Sequence, residues 1–441
     1  MRAAAIFLIA VCAAAVHRVY GSPAGWNAYL FLGAMVLVST MYRPSWLGLT
    51  WLIEAWFIFD YAIYGTAISA LGRSKVPLTS AMDLAYGHAY LIGALALVAF
   101  GCGAFLGSRS RTSVTPAEAD CPRWIFFLFT AAGVASIAML LLDPESRRQL
   151  LFEHVGLSPR EGMGRYTALW FMLPTTAIGL WYICTAKRQY SRVLTMVGLL
   201  AIASIHLGYG RRLMWAGALL MVFHLLKVRE IFTLRPVHMA AAVPVVLLVS
   251  MWMEATKNVG WFATGERIHI AELADPNAIL AMVDNSVGRF DATAALIADR
   301  AELPYYYGKT FLLAPLQVLP VAAGLPRSRG VREELGELIY GNFGKDLVSQ
   351  EPSLVGELYA NFGSFGVMAG FLLVGFLAAY LDLRYQHDGT PLVAIGYGLC
   401  LFRVIHQMGT AATSWVPLTM MAFLPWFCTL AAVKLTRRVT A

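Results

Sequence analysis

The chain has 441 residues, 59% of them hydrophobic and only 14% charged, whereas soluble globular domains carry about a quarter charged residues. That balance excludes an ordinary soluble domain. The formal charge of +8 calls for no nucleic-acid partner, because many basic residues stand in short loops beside apolar segments, where membrane topogenesis explains them.

Twelve apolar segments recur, near 3–20, 26–42, 46–66, 85–107, 124–142, 168–186, 192–209, 213–228, 236–254, 365–383, 391–409 and 415–434. A bilayer core needs roughly 20 mainly apolar residues per helix, and backbone groups in lipid must pair internally. The expectation is an all-α polytopic integral membrane protein of about twelve transmembrane helices. The first segment has a second reading: Arg2 followed by a short apolar run ending at Ala13-Ala14-Ala15 also resembles a cleavable signal peptide.

Placing both termini in the cytoplasm puts Arg43, Arg109, Arg111, Arg123, Lys187, Arg188, Arg192, Lys227, Arg229, Arg235, Arg384, Lys434, Arg437 and Arg438 inside. Residues 143–167 and 255–364 then face outward, and the latter hold 13 of the 26 carboxylates. The expected organisation is 1–254 as about nine transmembrane helices, 255–364 as a large exterior loop, and 365–441 as the last three helices.

An ionised side chain at mid-bilayer costs at least about 2.5–3.5 kcal/mol, so each one asks for a partner or a function. In chain order the candidates are Glu54 and Asp60 in the third span, Arg211 and Arg212 at the outer end of the seventh, and Arg403 with His406 in the eleventh. For Glu54 structural pairing is favoured. Arg211 and Arg212 lie in Gly208-Tyr-Gly-Arg-Arg, an outward turn where positive-inside bias disfavours arginine. Their planar forks match phosphate oxygens, with simple headgroup binding as the alternative. Arg403 and His406 share one helical face; Arg403 either pairs with Glu54 or Asp60 or binds an anion, and His406 is either a packing residue or a titrating one.

Within 255–364, Asp284-Asn-Ser-Val-Gly-Arg289-Phe-Asp291 leads into Ala292-Thr-Ala-Ala-Leu-Ile, whose composition favours helix. Tyr305, Tyr306 and Tyr307 form an aromatic run that could stack on a ligand, although interfacial anchoring is the stronger reading. Residues 310–324 are apolar but interrupted by Pro315 and Pro320, so they predict a re-entrant or interfacial segment.

Glu351-Pro-Ser-Leu-Val-Gly-Glu357-Leu-Tyr-Ala-Asn361-Phe-Gly enters the tenth span from outside. A helix starting near Ser353 puts Glu357 and Asn361 one turn apart on one face. Glu357 is then a partly desolvated proton acceptor or a plain helix-start acid. The six cysteines are scattered singly, which supports neither a disulfide framework nor a zinc site.

Residues 351–366, preceded by Tyr307-Gly-Lys309-Thr-Phe and Pro326-Arg327, resemble the oligosaccharide repeat-unit polymerases of bacterial cell surfaces, the O-antigen or Wzy-type enzymes. The hydropathy plan, with a large exterior loop before the last three spans, resembles theirs too. The resemblance implies a glycosyltransferase-C-like fold in the bacterial inner membrane, with a growing glycan leaving undecaprenyl pyrophosphate at the periplasmic face and joining the next lipid-linked unit. It implies no cofactor, no metal and no nucleic-acid partner. Implied partners are the undecaprenyl-pyrophosphate-linked oligosaccharide, membrane lipids, and a chain-length regulator and flippase of the same pathway. No Gly-rich nucleotide loop or DxD pair stands in the sequence, which agrees with metal-independent transfer.

Such chemistry needs cations against the departing pyrophosphate and a base for the attacking hydroxyl. Arg211, Arg212, Arg289 and Arg403, with Lys309, are the candidate clamps, and Glu357 is the candidate base with Asp291 and His406 in reserve. Asn361, Tyr359, Tyr307 and Glu351 are the candidate substrate-binding residues. The rival readings are a transporter or flippase, which lacks an inverted repeat and a matching pair of broken helices in this sequence, and a glycan ligase using the same donor.

Overall fold

A computed structural model describes residues 2–21, 25–42, 44, 47–71, 82–110, 289–298, 305–316, 352–387, 391–408 and 412–440, with isolated positions 131, 135, 138 and 142. Every regular element among them is helical. In chain order they are α1 (Arg2–Val19), α2 (Gly25–Met41), α3 (Leu49–Phe57), a π-helical stretch (Ile58–Gly65), α4 (Thr66–Leu71), α5 (Met82–Ser108), α6 (Phe290–Ala298), α7 (Lys309–Leu316), α8 (Leu354–His387), α9 (Pro391–Met408) and α10 (Ala412–Thr440).

Among the described residues three helices are long and apolar enough to cross a membrane: Arg2–Val19, Leu84–Ser108 and Leu354–His387. Gly25–Met41 and Phe423–Ala432 are shorter apolar helices. Helices coincide with seven of the twelve expected segments. The other five, from 124 to 254, lie outside the described residues apart from the isolated positions.

Packing centres on α5 and α8, whose contact is the most extensive among the described helices. A Cβ at Gly103 of α5 would land on the Leu372 carbonyl oxygen, and one at Gly375 of α8 on the Phe100 carbonyl oxygen. The two backbones therefore touch directly, the arrangement by which helices in lipid gain van der Waals contact and Cα–H···O bonds. Around this crossing, buried rings tie in α2, the π-helical stretch and α6. Phe31 of α2 stacks on Tyr61 with centroids 5.0 Å apart, Phe57 meets Phe371 of α8 at 5.3 Å, and Phe290 of α6 meets Tyr90 of α5 at 4.7 Å.

α8 is two helices. Gly363 has φ 65° and ψ −158°, a region that essentially only glycine occupies. A Cβ at Gly366 would come 3.0 Å from the Leu358 carbonyl oxygen, and one at Gly370 would come 2.6 Å from Leu358 Cδ1. In an unbroken helix residues eight and twelve apart lie roughly 12 and 18 Å apart along the axis. Residues 354–362 therefore fold back beside the start of the span. The remaining run, 364–387, is roughly 36 Å long at 1.5 Å per residue, enough to cross.

One end of the bundle is held by two acids. Gly48, preceding α3, has no side chain to cap the helix, and Asp382 of α8 supplies the cap. Its Oδ1 accepts from Leu49 N–H (2.8 Å) and Tyr397 O–H (2.5 Å), and its Oδ2 from Thr50 N–H (3.1 Å) and Oγ1–H (2.5 Å). Nearby, Glu54 forms an ion pair with Arg2, which also donates to the Tyr42 carbonyl at 3.1 Å. The expected Arg403–Glu54 alternative gives way to this pair. α1 is accordingly a packed member of the bundle, with Ile6, Ala10, Ala13 and His17 buried. Arg2→Ala should strand a buried carboxylate; Arg2 sits at the bundle's edge, so the loss should fall below the usual 3–5 kcal/mol, at about 2–3 kcal/mol. Thermal melts in detergent check this, and adding Glu54→Gln should recover most of the loss.

Candidate functional site

The opposite end gathers the segments that carry most of the expected site residues. α8 begins after Ser353, as its sequence predicts, and Glu357 N–H closes the first turn on the Ser353 carbonyl at 3.0 Å. Ser353 Oγ and Thr293 Oγ1 of α6 are 2.8 Å apart, and Ser353 N–H donates to Thr293 Oγ1 at 3.2 Å. This double link fixes α6 beside the first turn of α8. Glu357 is 0% exposed, so it is more deeply buried than an interfacial acid would be.

α6 starts with Arg289 in the position before its first residue, a poor capping residue preceded by a glycine. The cap comes from the third span. Asp60 Oδ1 accepts the Arg289 N–H at 2.7 Å, and Asp60 belongs to the π-helical stretch, whose wider turn is a form that recurs at functional sites. Arg289 and Asp291 both lie within electrostatic reach of Asp60, the first attracting its charge and the second repelling it. Asp291 is buried, and its Oδ1 accepts the Ala292 N–H at 2.9 Å.

The break at Gly363 frees the carbonyls that end the first half of α8, and the loop before α7 uses them. Tyr306 N–H donates to the Ala360 carbonyl at 3.3 Å and Tyr307 N–H to the Asn361 carbonyl at 3.2 Å. Asn361, fully buried, acts as a bracket. Its Oδ1 accepts Gly308 N–H at 2.9 Å, and its Nδ2 donates to Thr310 Oγ1 and to the Glu357 carbonyl, both at 2.9 Å. The amide expected to bind substrate thus spends its hydrogen bonds joining the loop to the turn that carries Glu357.

Of the other expected residues, Lys309 is exposed at the start of α7 and Tyr359 is half-buried against the core. Tyr307 is 77% exposed. Arg403 is fully buried in α9, and its Nε donates to Thr419 Oγ1 of α10 at 3.0 Å. His406 lies in α9 with its side chain outside the described residues, and Arg211, Arg212 and Glu351 also lie outside them. α7 covers the first part of the expected re-entrant segment, contains Pro315 and packs on α10. Among the described residues no three His, Cys, Asp or Glu side chains group as a metal site would require.

The structure brings Arg289, Asp291, Lys309, Glu357, Asn361 and Tyr307 onto three linked segments. Sequence reasoning missed the linkers Thr293, Ser353 and Thr310, and it missed Asp382 altogether. A helix start with glycine or arginine where a cap belongs, as at Gly48 and Arg289, is the signal that an acid must arrive from elsewhere. No protein-family model, no curated protein and no solved structure matches this chain.

Proposed function

We propose that the protein is a polysaccharide polymerase of a bacterial inner membrane, with its full complement of about twelve spans and its reacting centre on the periplasmic side. The observation that carries this reading is the buried acid Glu357, tied through Asn361 to a loop that presents Tyr307 and Lys309 outward. A carboxylate inside the bundle beside cation-bearing segments suits acid–base chemistry on a substrate that is part lipid and part sugar.

In the proposed reaction Glu357 takes the proton from a sugar hydroxyl of the lipid-linked repeat unit as that oxygen bonds to the anomeric carbon of the growing glycan. The bond from that carbon to the pyrophosphate oxygen breaks, and undecaprenyl pyrophosphate leaves with the electron pair. Arg211, Arg212, Arg289 and Arg403, with Lys309, hold the charge that develops there. Asp291 and His406 are the reserve bases, and Glu351 and Tyr359 the further sugar contacts.

A transporter or lipid-linked oligosaccharide flippase is the second reading, favoured by the broken helix at Gly363, since broken helices line transport sites. Purified protein given lipid-linked repeat units, with no nucleotide sugar, is expected to make a ladder of longer glycans. Movement of the lipid-linked unit across a vesicle membrane with no lengthening would establish the flippase instead. Transfer of a finished polymer to another lipid acceptor would identify a ligase.

A further inference from the structure

The loop before α7 is built more rigidly than a membrane anchor requires. Tyr307 has φ 47°, a left-handed backbone that costs a non-glycine residue energy and tends to survive only where function uses it. Four hydrogen bonds fix the loop: Tyr306 N–H to Ala360, Tyr307 N–H to Asn361, Lys309 N–H to the Tyr306 carbonyl at 2.9 Å, and Gly308 N–H to Asn361 Oδ1. The Tyr305 and Tyr307 centroids are 5.9 Å apart with planes tilted by 56°, and Tyr307 is 77% exposed. Tyr305 is 40% exposed and its ring lies against Gly363, while Tyr307 is splayed from it and held outward, with the exposed Lys309 two residues on.

We propose that Tyr305 and Tyr307 form a glycan-holding platform, on which a pyranose ring of the growing chain stacks against Tyr307. This rests on the polymerase reading and extends it. Glu357 is wholly buried and Tyr307 is at the surface, so the ring held by Tyr307 lies away from the reacting hydroxyl. The platform retains the chain between transfers. Asn361 is a positioning residue for it, because the same amide grips the loop and the carbonyl of Glu357.

A membrane anchor is the competing role for exposed tyrosines, and the strained backbone separates the two. Tyr307→Gly removes the ring and relieves the left-handed strain, so its melting temperature should hold or rise. The probe is a lipid-free oligosaccharide of a few repeat units, cut from the host's own surface polysaccharide, and binding to the protein in nanodiscs is read by saturation-transfer NMR. Tyr307→Gly should weaken binding about 3- to 10-fold and shorten the polymer made from lipid-linked units, and Tyr307→Phe, which keeps the ring, should recover most of both losses.

Unchanged oligosaccharide binding in Tyr307→Gly overturns the platform and leaves the polymerase reading standing if wild-type protein still makes the ladder. Wild-type protein that binds the oligosaccharide through Tyr307 and never lengthens it overturns the polymerase reading and leaves the platform as a glycan-binding site. A Tyr307→Gly variant that binds the oligosaccharide as wild type does, and differs only in how its melting temperature depends on phosphatidylethanolamine against phosphatidylglycerol in the nanodisc, shows an anchor and overturns the proposal.

Discussion

On the proposed polymerase reading, Glu357→Gln is expected to lower the rate of glycan lengthening by about 100- to 10,000-fold while donor binding stays near normal. The amide keeps the shape of the side chain and its capacity to accept a hydrogen bond, but it cannot take a proton. Glu357 is fully buried at the first turn of α8, so the melting temperature of the variant is measured beside its rate. Loss of activity with a normal melt therefore isolates proton acceptance. Asp291→Asn is the matched comparison, since Asp291 is likewise buried and bonded to a neighbouring backbone N–H. Wild-type rates in Glu357→Gln alongside a dead Asp291→Asn would falsify the assignment of the base and make Glu357 a helix-start acid.

The largest effect on stability is expected from Gly103→Val. At the crossing of α5 and α8 the added side chain meets the Leu372 carbonyl and the Phe376 nitrogen, which are backbone atoms and cannot rotate away. The helices must separate, and the aromatic contacts around the crossing loosen with them. A destabilisation of about 4 kcal/mol or more is expected, beyond ordinary overpacking of side chains. Gly33→Val in α2 is the control, because nothing lies within 4 Å of its Cβ. Both variants add the same side chain, so a difference in melting temperature or folded yield reports the crossing itself; equal behaviour would show that α5 and α8 do not touch as described.

Much of the architecture is legible in the sequence because lipid imposes one strong rule. Long apolar runs mark helices, and α1, α2, α5, α8, α9 and α10 begin or end within a few residues of the expected segments, except where α8 and α10 run past them. The start of α8 at Ser353 and the helix through Asp291 are also visible, from local composition and spacing. Pairing is not. Glu54 looks equally available to any cation in the chain, and only the fold selects Arg2. Asn361 looks like a polar group waiting for a ligand until the break at Gly363 brings Gly308 and Thr310 against it. Asp60 and Asp382 escape for the same reason. Each caps a helix more than 200 residues away in sequence, Arg289 for one and Leu49 for the other, and no local pattern encodes a partner at that distance.

The capping of α3 by Asp382 also bears on how the protein is made. Thr50 precedes its carboxylate partner by 332 residues, and at 5–20 residues per second a ribosome takes roughly 15–70 s to bridge that interval. Through that time the amides at the start of α3 rely on water and lipid headgroups, and the early helices sit in the bilayer without their final register. Completion of the bundle is a late event of biosynthesis, triggered when α8 arrives and closes the far end. Chains that end before α8 lack the carboxylate that caps α3 in the finished bundle.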